Sequence, residues 1–240
     1  MSQDKQTIRD ALINVRGAFR TLAFYQKSML SIVDYIKNRS GIKDARIYGA
    51  KRFSDRIRKC QLNEDYDANL NVRPNMWSWD FLYGYMFEYY LGKHNLPTNE
   101  GNQEVSVSIL QISDDGFLTS KVENKKRPDI NSFTPLEKSN SCLIICVGYG
   151  DGWYYVPQIM SKNSYSKTPW IDVALQTVNY IVDSSENTYI NRHGIDENSC
   201  FFIAKKYPLE LFFDKKNIDN ILAELSNHLK QEAGLNLFNL

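Results

Sequence analysis

Histidine and cysteine are scarce in this chain, three and four among 240 residues, and no stretch is both long and apolar. The four cysteines, at positions 60, 142, 146 and 200, form no Cys-x-x-Cys pair, so neither zinc nor a disulfide framework is expected. Cys142 and Cys146 lie in the run Cys142–Val147, where cysteine behaves as a reduced, buried thiol. That run of six residues is the longest wholly apolar one, against the roughly 20 a membrane helix needs, so no membrane span is expected. The opening Met-Ser-Gln-Asp-Lys-Gln is polar and carries no secretory signal pattern, which makes a cytoplasmic setting the expectation. His94, in a polar turn, His193, in Asn-Arg-His-Gly, and His228, on the polar side of the last helix, stand beside no Ser or Cys in a recognisable elbow and at no zinc spacing. Nucleophilic catalysis by Cys60 or Cys200 therefore has no motif behind it, and no cofactor is expected. An excess of one charge is missing too: 29 Lys and Arg face 28 Asp and Glu, whereas dedicated nucleic-acid binders carry a strongly basic domain.

What is present is apolar material for a sizeable core, 42 % hydrophobic and 13 % aromatic, and a charge distribution that is segregated. Residues 37–59 hold nine Lys or Arg against two Asp, a local +7. Between Cys60 and Glu104 the sign reverses, with seven acids (Glu64, Asp65, Asp67, Asp80, Glu88, Glu100 and Glu104) against Arg73 and Lys93. Clustered cations create a field that dispersed ones do not, so the basic stretch is a candidate anion surface; internal pairing with the acidic stretch competes with it.

From Thr7 to about Arg39 apolar residues recur every three or four positions, including Ile8, Val15, Leu22, Met29, Val33 and Ile36, which predicts a long amphipathic helix stopped by Ser40-Gly41. Residues 77–90 hold eight aromatics in fourteen, at strictly odd positions up to Tyr89. Period two argues for a strand, but the length, Pro74-Asn75 before and Leu91-Gly92 after favour a buried aromatic-rich helix. Val105, Val107 and Ile109, the turn Asp114-Asp115-Gly116 and Phe117–Val122 predict a hairpin, followed by a polar loop over 123–140. Cys142–Val147 and Trp153–Ile159 around Gly148-Tyr-Gly-Asp-Gly152 predict a second hairpin; the glycines precede a strand and not a helix, so a phosphate cradle is disfavoured. Two late helices follow, one capped at Thr168-Pro169, the other running from Asp214 to about Glu232 with Gly234 closing it; Cys200–Ala204 between them reads as a buried strand. The expected class is α+β: a long N-terminal helix and an aromatic-rich helix packed with a mainly antiparallel sheet of hairpins. One domain over 1–240 is expected, with a candidate sub-boundary in the polar stretch 93–103.

Three functional readings follow. In the leading one the protein is a non-catalytic cytoplasmic binding or accessory protein whose basic segment meets a nucleic acid, a nucleotide or other phosphorylated ligand, or an acidic partner. Arg46, Lys51, Arg52, Arg56 and Arg58 supply the contacts and Tyr48 or Phe53 stacks on bases. In the second, the element order resembles the core of the PD-(D/E)XK metal-dependent nucleases, with Asp115, Glu123 and Lys125 holding Mg²⁺ and orienting a water and Glu88 contributing from a helix. In the third, the protein is a structural subunit or homo-oligomer in which the long first helix and the aromatic segment bury against a partner chain. The aromatic residues Trp77, Trp79, Tyr83, Tyr85, Tyr89 and Trp153–Tyr155 serve a core first, and a ligand pocket or interface edged by Asp80 and Glu88 second. The abundance of Lys, Asn, Ile and Tyr suits an AT-rich microbial or phage genome.

Overall fold

In the computed structural model the residues described are 2–43, 45, 47–50, 70–72, 86–116, 133–150, 190–193 and 200–238. The first element, α1 (Ser2–Arg39), is one unbroken helix of 38 residues, as its periodicity predicts. At 1.5 Å per residue it is about 57 Å long. It stops at Ser40, whose hydroxyl donates to Lys37 O at 2.7 Å and accepts from Ile42 N at 3.2 Å, and Gly41 follows at φ +75°.

Seven described strands form one sheet in the order β2-β1-β3-β4-β5-β7-β6, every pairing antiparallel. They are β1 (Ile47–Ala50), β2 (Leu70–Val72), β3 (Met86–Thr98), β4 (Gly101–Ile112), β5 (Cys142–Gly150), β6 (Ile190–His193) and β7 (Cys200–Pro208). One face carries Phe87, Tyr89, Val107, Ile109, Leu143, Ile145, Val147, Phe201 and Ile203, and these form a single cluster with Met29, Val33 and Ile36 of α1 and with the last helix, α2 (Lys215–Ala233). The opposite face is buried as well: Glu88, Tyr90, Ser108, Leu110, Ile112, Cys142, Ile144, Cys146 and Phe202 are all inside. Cys142 and Cys146 are buried there, as the apolar run around them predicts.

The aromatic-rich segment corrects the sequence reading. Of that segment residues 86–90 are strand and not helix, part of β3, with Phe87, Tyr89 and Leu91 on the helix-covered face; residues 77–85, including Trp77, Trp79, Asp80, Tyr83 and Tyr85, lie outside the described residues. Over residues 86–90 the period-two alternation is the informative signal, and it is masked in the sequence because the other face is also buried, which removes the polar half of the pattern. Gly92, read as a helix stop, instead sits at φ +92° in a bulge where the β3–β4 register shifts between Tyr90 and Lys93. The extra residue swaps parity, so that Leu96 packs on the core after Leu91 and His94, expected in a turn, is in the strand with Nε2 2.8 Å from Leu91 O. The turn itself is Asn99-Glu100, between the paired residues Thr98 and Gly101.

Both expected hairpins are corrected by edge occupancy. Ser106–Ile112 of β4 pair with β3 on one side and β5 on the other, so both edges of this stretch are taken. Residues 142–148 of β5 are likewise flanked by β4 and β7, and Gly148, Tyr149 and Gly150 continue the strand opposite Phe202, Phe201 and Cys200 and form no turn. Residues 117–122, 153–159 and the helix expected from Thr168 lie outside the described residues.

The end of the chain follows its local signals. After a 3₁₀ turn (Leu209–Phe213), Asp214 accepts from Lys216 N at 2.9 Å to cap α2, and Ile218, Ile221, Leu222, Leu225 and Leu229 face inward. Lys205 on β7 is buried and reaches Glu224 on α2 at 2.7 Å. α2 ends at Gly234, φ +65°, and Leu235, Leu237 and Phe238 turn back into the core, Phe238 N donating to Ser40 O at 3.2 Å. Among the described residues no helix is long and apolar enough to cross a membrane.

Candidate interaction surface

The two halves of α1 live in different surroundings. Beyond Tyr25 the helix is anchored: Gln26, Met29, Leu30, Ile32, Val33 and Ile36 are buried. Its seat on the sheet is a polar knot in an otherwise apolar layer. Gln26 Nε2 donates to Tyr89 Oη at 2.6 Å, Tyr89 Oη donates to Gln111 Oε1 at 2.7 Å, and Gln111 Nε2 returns to Gln26 Oε1 at 3.1 Å. Tyr25 and Ser113 extend the knot, their hydroxyls 3.2 and 3.1 Å from Gln111 Nε2. Burial pushes the Tyr89 phenol far above its ordinary pKa and raises that of Tyr25, while the hydrogen bond that Tyr89 accepts from Gln26 and the one that Tyr25 donates to Ser113 pull back. At its C-terminal end α1 is tied to α2, since Tyr35 Oη donates to Asp219 at 2.8 Å and Arg39 pairs with Asp219 at 3.3 Å.

From residue 7 to residue 24 the described side chains are exposed, Ala23 alone being half-buried. Ile8, Leu12, Val15, Phe19 and Leu22 are 43–60 % exposed, and Ile13 and Phe24 are open as well. The five fall on one line. Positions 8, 12, 15, 19 and 22 alternate steps of four and three, and the same alternation continues through Gln26, Met29, Val33, Ile36 and Ser40, the buried seam of the anchored half. A stripe of this 3.5-residue period is what one helix presents to another. Thus, among the described residues, a single seam runs from Ile8 to Ile36, covered by the sheet beyond Tyr25 and exposed before it. Residues 7–24 hold Arg9, Arg16 and Arg20 against Asp10.

Periodicity alone places Ile8, Val15 and Leu22 inward and does not single out Leu12 or Phe19. The four-three spacing is legible in the sequence; the point where the body stops is not.

The predicted anion site is mostly beyond view. Arg46, Lys51, Arg52, Phe53, Arg56 and Arg58 lie outside the described residues, and Tyr48 is placed only by its backbone, between Asn71 of β2 and Tyr90 of β3. Of the three cations of that stretch among the described residues, two are engaged by the fold: Lys37 with Asp34 at 2.7 Å and Arg39 with Asp219. These partners come from the two helices and not from the acidic stretch 60–104.

Of the nuclease residues, Glu123 and Lys125 lie outside the described residues. Asp115 is part of a clasp, its carboxylate accepting from Asn140 N at 2.7 Å while its own N–H donates to Asn140 O at 3.0 Å. Glu88 is in a strand, not a helix, fully buried, and accepts from Ser108 Oγ at 2.7 Å. Among the described residues no group of three or more His, Cys, Asp or Glu could hold a metal ion.

Residues 5–236 match the sequence model of the family described as PM0109, and the chain belongs to that family; the match takes in the open half of α1 together with the body. No curated protein and no solved structure matches the chain.

Proposed function

We propose that this is a binding or accessory protein whose work is assembly, with the open half of α1 as its docking element. The observation that carries the reading is the continuation into solvent of an apolar seam that is buried over the rest of the same helix. Physical chemistry argues that such a half-helix needs a cover. Helices in proteins gain most of their stability from packing an amphipathic face, and this half contains Gly17 together with the β-branched or aromatic Thr7, Ile8, Ile13, Val15, Phe19, Thr21 and Phe24, all weak helix formers. A soluble chain that only displayed these side chains would lose the helix or aggregate through them.

The test is photo-crosslinking in the native host, with benzoylphenylalanine placed on the seam at Val15 or off it at Asn14. A discrete adduct from Val15 and none from Asn14 is expected. Absence of a discrete adduct, or equal adducts from both positions, would sink the docking reading. An anion contact by Arg46, Lys51, Arg52, Arg56 and Arg58 is a separate proposal resting on the sequence. Fluorescence anisotropy with labelled DNA and RNA at two salt concentrations checks it, and reversal of Arg52 and Arg56 to Glu should abolish any salt-sensitive binding found.

A further inference from the structure

Resting on that docking role, we infer that the occupant of the open seam is a second copy of this chain, laid antiparallel so that the exposed halves of two α1 helices cover each other. Area, sterics and the flanks of the seam support it.

The five seam residues are each roughly half exposed. Two copies face to face would remove on the order of 1,000 Å² from these side chains alone, and the flanking stems bring the total to the range of specific interfaces. The exposed half of α1, seam and flanks together, is thus large enough for a specific interface.

Direction follows from where the seam is already occupied. From Gln26 onward it faces the chain's own sheet. A parallel partner would continue down that side and bring two bodies to one place. An antiparallel partner stops short of it: each N-terminus points at the other copy's body, and a twofold axis relates two identical patches, the closed arrangement most common in soluble oligomers.

The flanks of the seam differ from each other. Ala11 and Ala18 border it on one side, Arg9 and Arg16 on the other. Antiparallel helices bring like flanks together, so alanine meets alanine, which allows close approach, and arginine meets arginine. The second contact is repulsive and solvent-exposed, and salt screens it.

The experiment is light-scattering mass measurement on the purified full chain over a range of concentrations. Mass should rise to twice that of the chain, and association should strengthen with added salt. Leu12→Glu/Val15→Glu should stay monomeric at every concentration while keeping the body's near-ultraviolet signal, since neither side chain belongs to the core. Asn14→Glu should dimerise as the parent does. An equimolar mixture of the parent with Arg9→Glu/Arg16→Glu should form mixed dimers above the random proportion, because acid then meets base across the axis. A monomer under all conditions, or a dimer that survives Leu12→Glu/Val15→Glu, overturns the inference. Random mixing without salt dependence overturns the antiparallel arrangement. A monomer whose Val15 position still yields a discrete adduct with another protein overturns the second copy and leaves docking standing; a monomer with no adduct removes both.

Discussion

The Tyr89 hydroxyl lies between two glutamine amides in a largely apolar layer, and it both accepts from Gln26 and donates to Gln111. Removing it leaves the Gln26 amide and the Gln111 carbonyl only their own longer contact at 3.3 Å, which costs about 1–3 kcal/mol. Tyr89→Phe should therefore lower the Tm by several degrees in a calorimetric scan, although the ring still fits. Replacing Gln26 and Gln111 by Leu in the same background should cost less than the separate changes add up to, because no polar atom is left behind. The same phenol governs a pH response. In the unfolded chain Tyr25 and Tyr89 release their protons near pH 10, whereas in the fold burial holds both in the neutral form to higher pH. Their raised pKa values contribute stability that is fully present below about pH 10 and is lost as the pH climbs beyond it. Melting curves between about pH 8 and about pH 11 should show this fall, and Tyr89→Phe should make it shallower.

At the scale of elements, glycines at two helix positions have opposite roles. Gly234 stops α2 with positive φ, and a Cβ there would drive into the side chain of Asn99 and lie 2.9 Å from its backbone nitrogen. The turn of the β3–β4 hairpin rests on this helix end, Asn99 N donating to Ala233 O at 2.9 Å. Gly234→Ala should cost about 1–3 kcal/mol through backbone strain, and more where the hairpin must shift, read as a lowered denaturant midpoint. Gly17 is mid-helix and off the seam, and a methyl group added to its Cα would meet nothing described within 4 Å. Gly17→Ala should stabilise α1 by about 0.5–1 kcal/mol, seen as greater helicity by circular dichroism. Legibility in the sequence divides along the same line. α1, α2, β5 and β7 are readable because their signals are local: a period, the Asp214 cap, Gly41 and Gly234, an apolar run. β3 is misleading because Gly92 looks the same as a helix stop and as a bulge. The partners of β4 and β5 are not legible because adjacency in sequence suggests hairpins, while Ser106–Gly148 and Gly148–Phe202 pairings are set by the whole sheet.

At the scale of the molecule, the open seam is visible in the sequence as spacing but not as a site, because the same apolar residue is core or interface according to where the body ends. No described residue before Tyr25 belongs to or packs on the main core cluster, whereas Gln26, the first fully buried residue, is already in the polar knot. The body's stability and the chain's assembly should therefore separate at that point. Deletion of residues 2–24 should leave the body's own folding transition in place, because it removes no side chain of that cluster. The two forms should differ in how melting responds to concentration. Association stabilises a folded chain by mass action, so the Tm of the full chain should climb as protein is added, while that of the shortened chain should stay level. A full-chain Tm that is independent of concentration would mean that the seam binds no second copy. A shortened chain that fails to fold at all would mean that the open half of α1 supports the body through contacts its exposure does not reveal. Hydrogen exchange locates the effect: amides 8–24 should gain protection with concentration, and amides 29–36, held against the sheet in either state, should not.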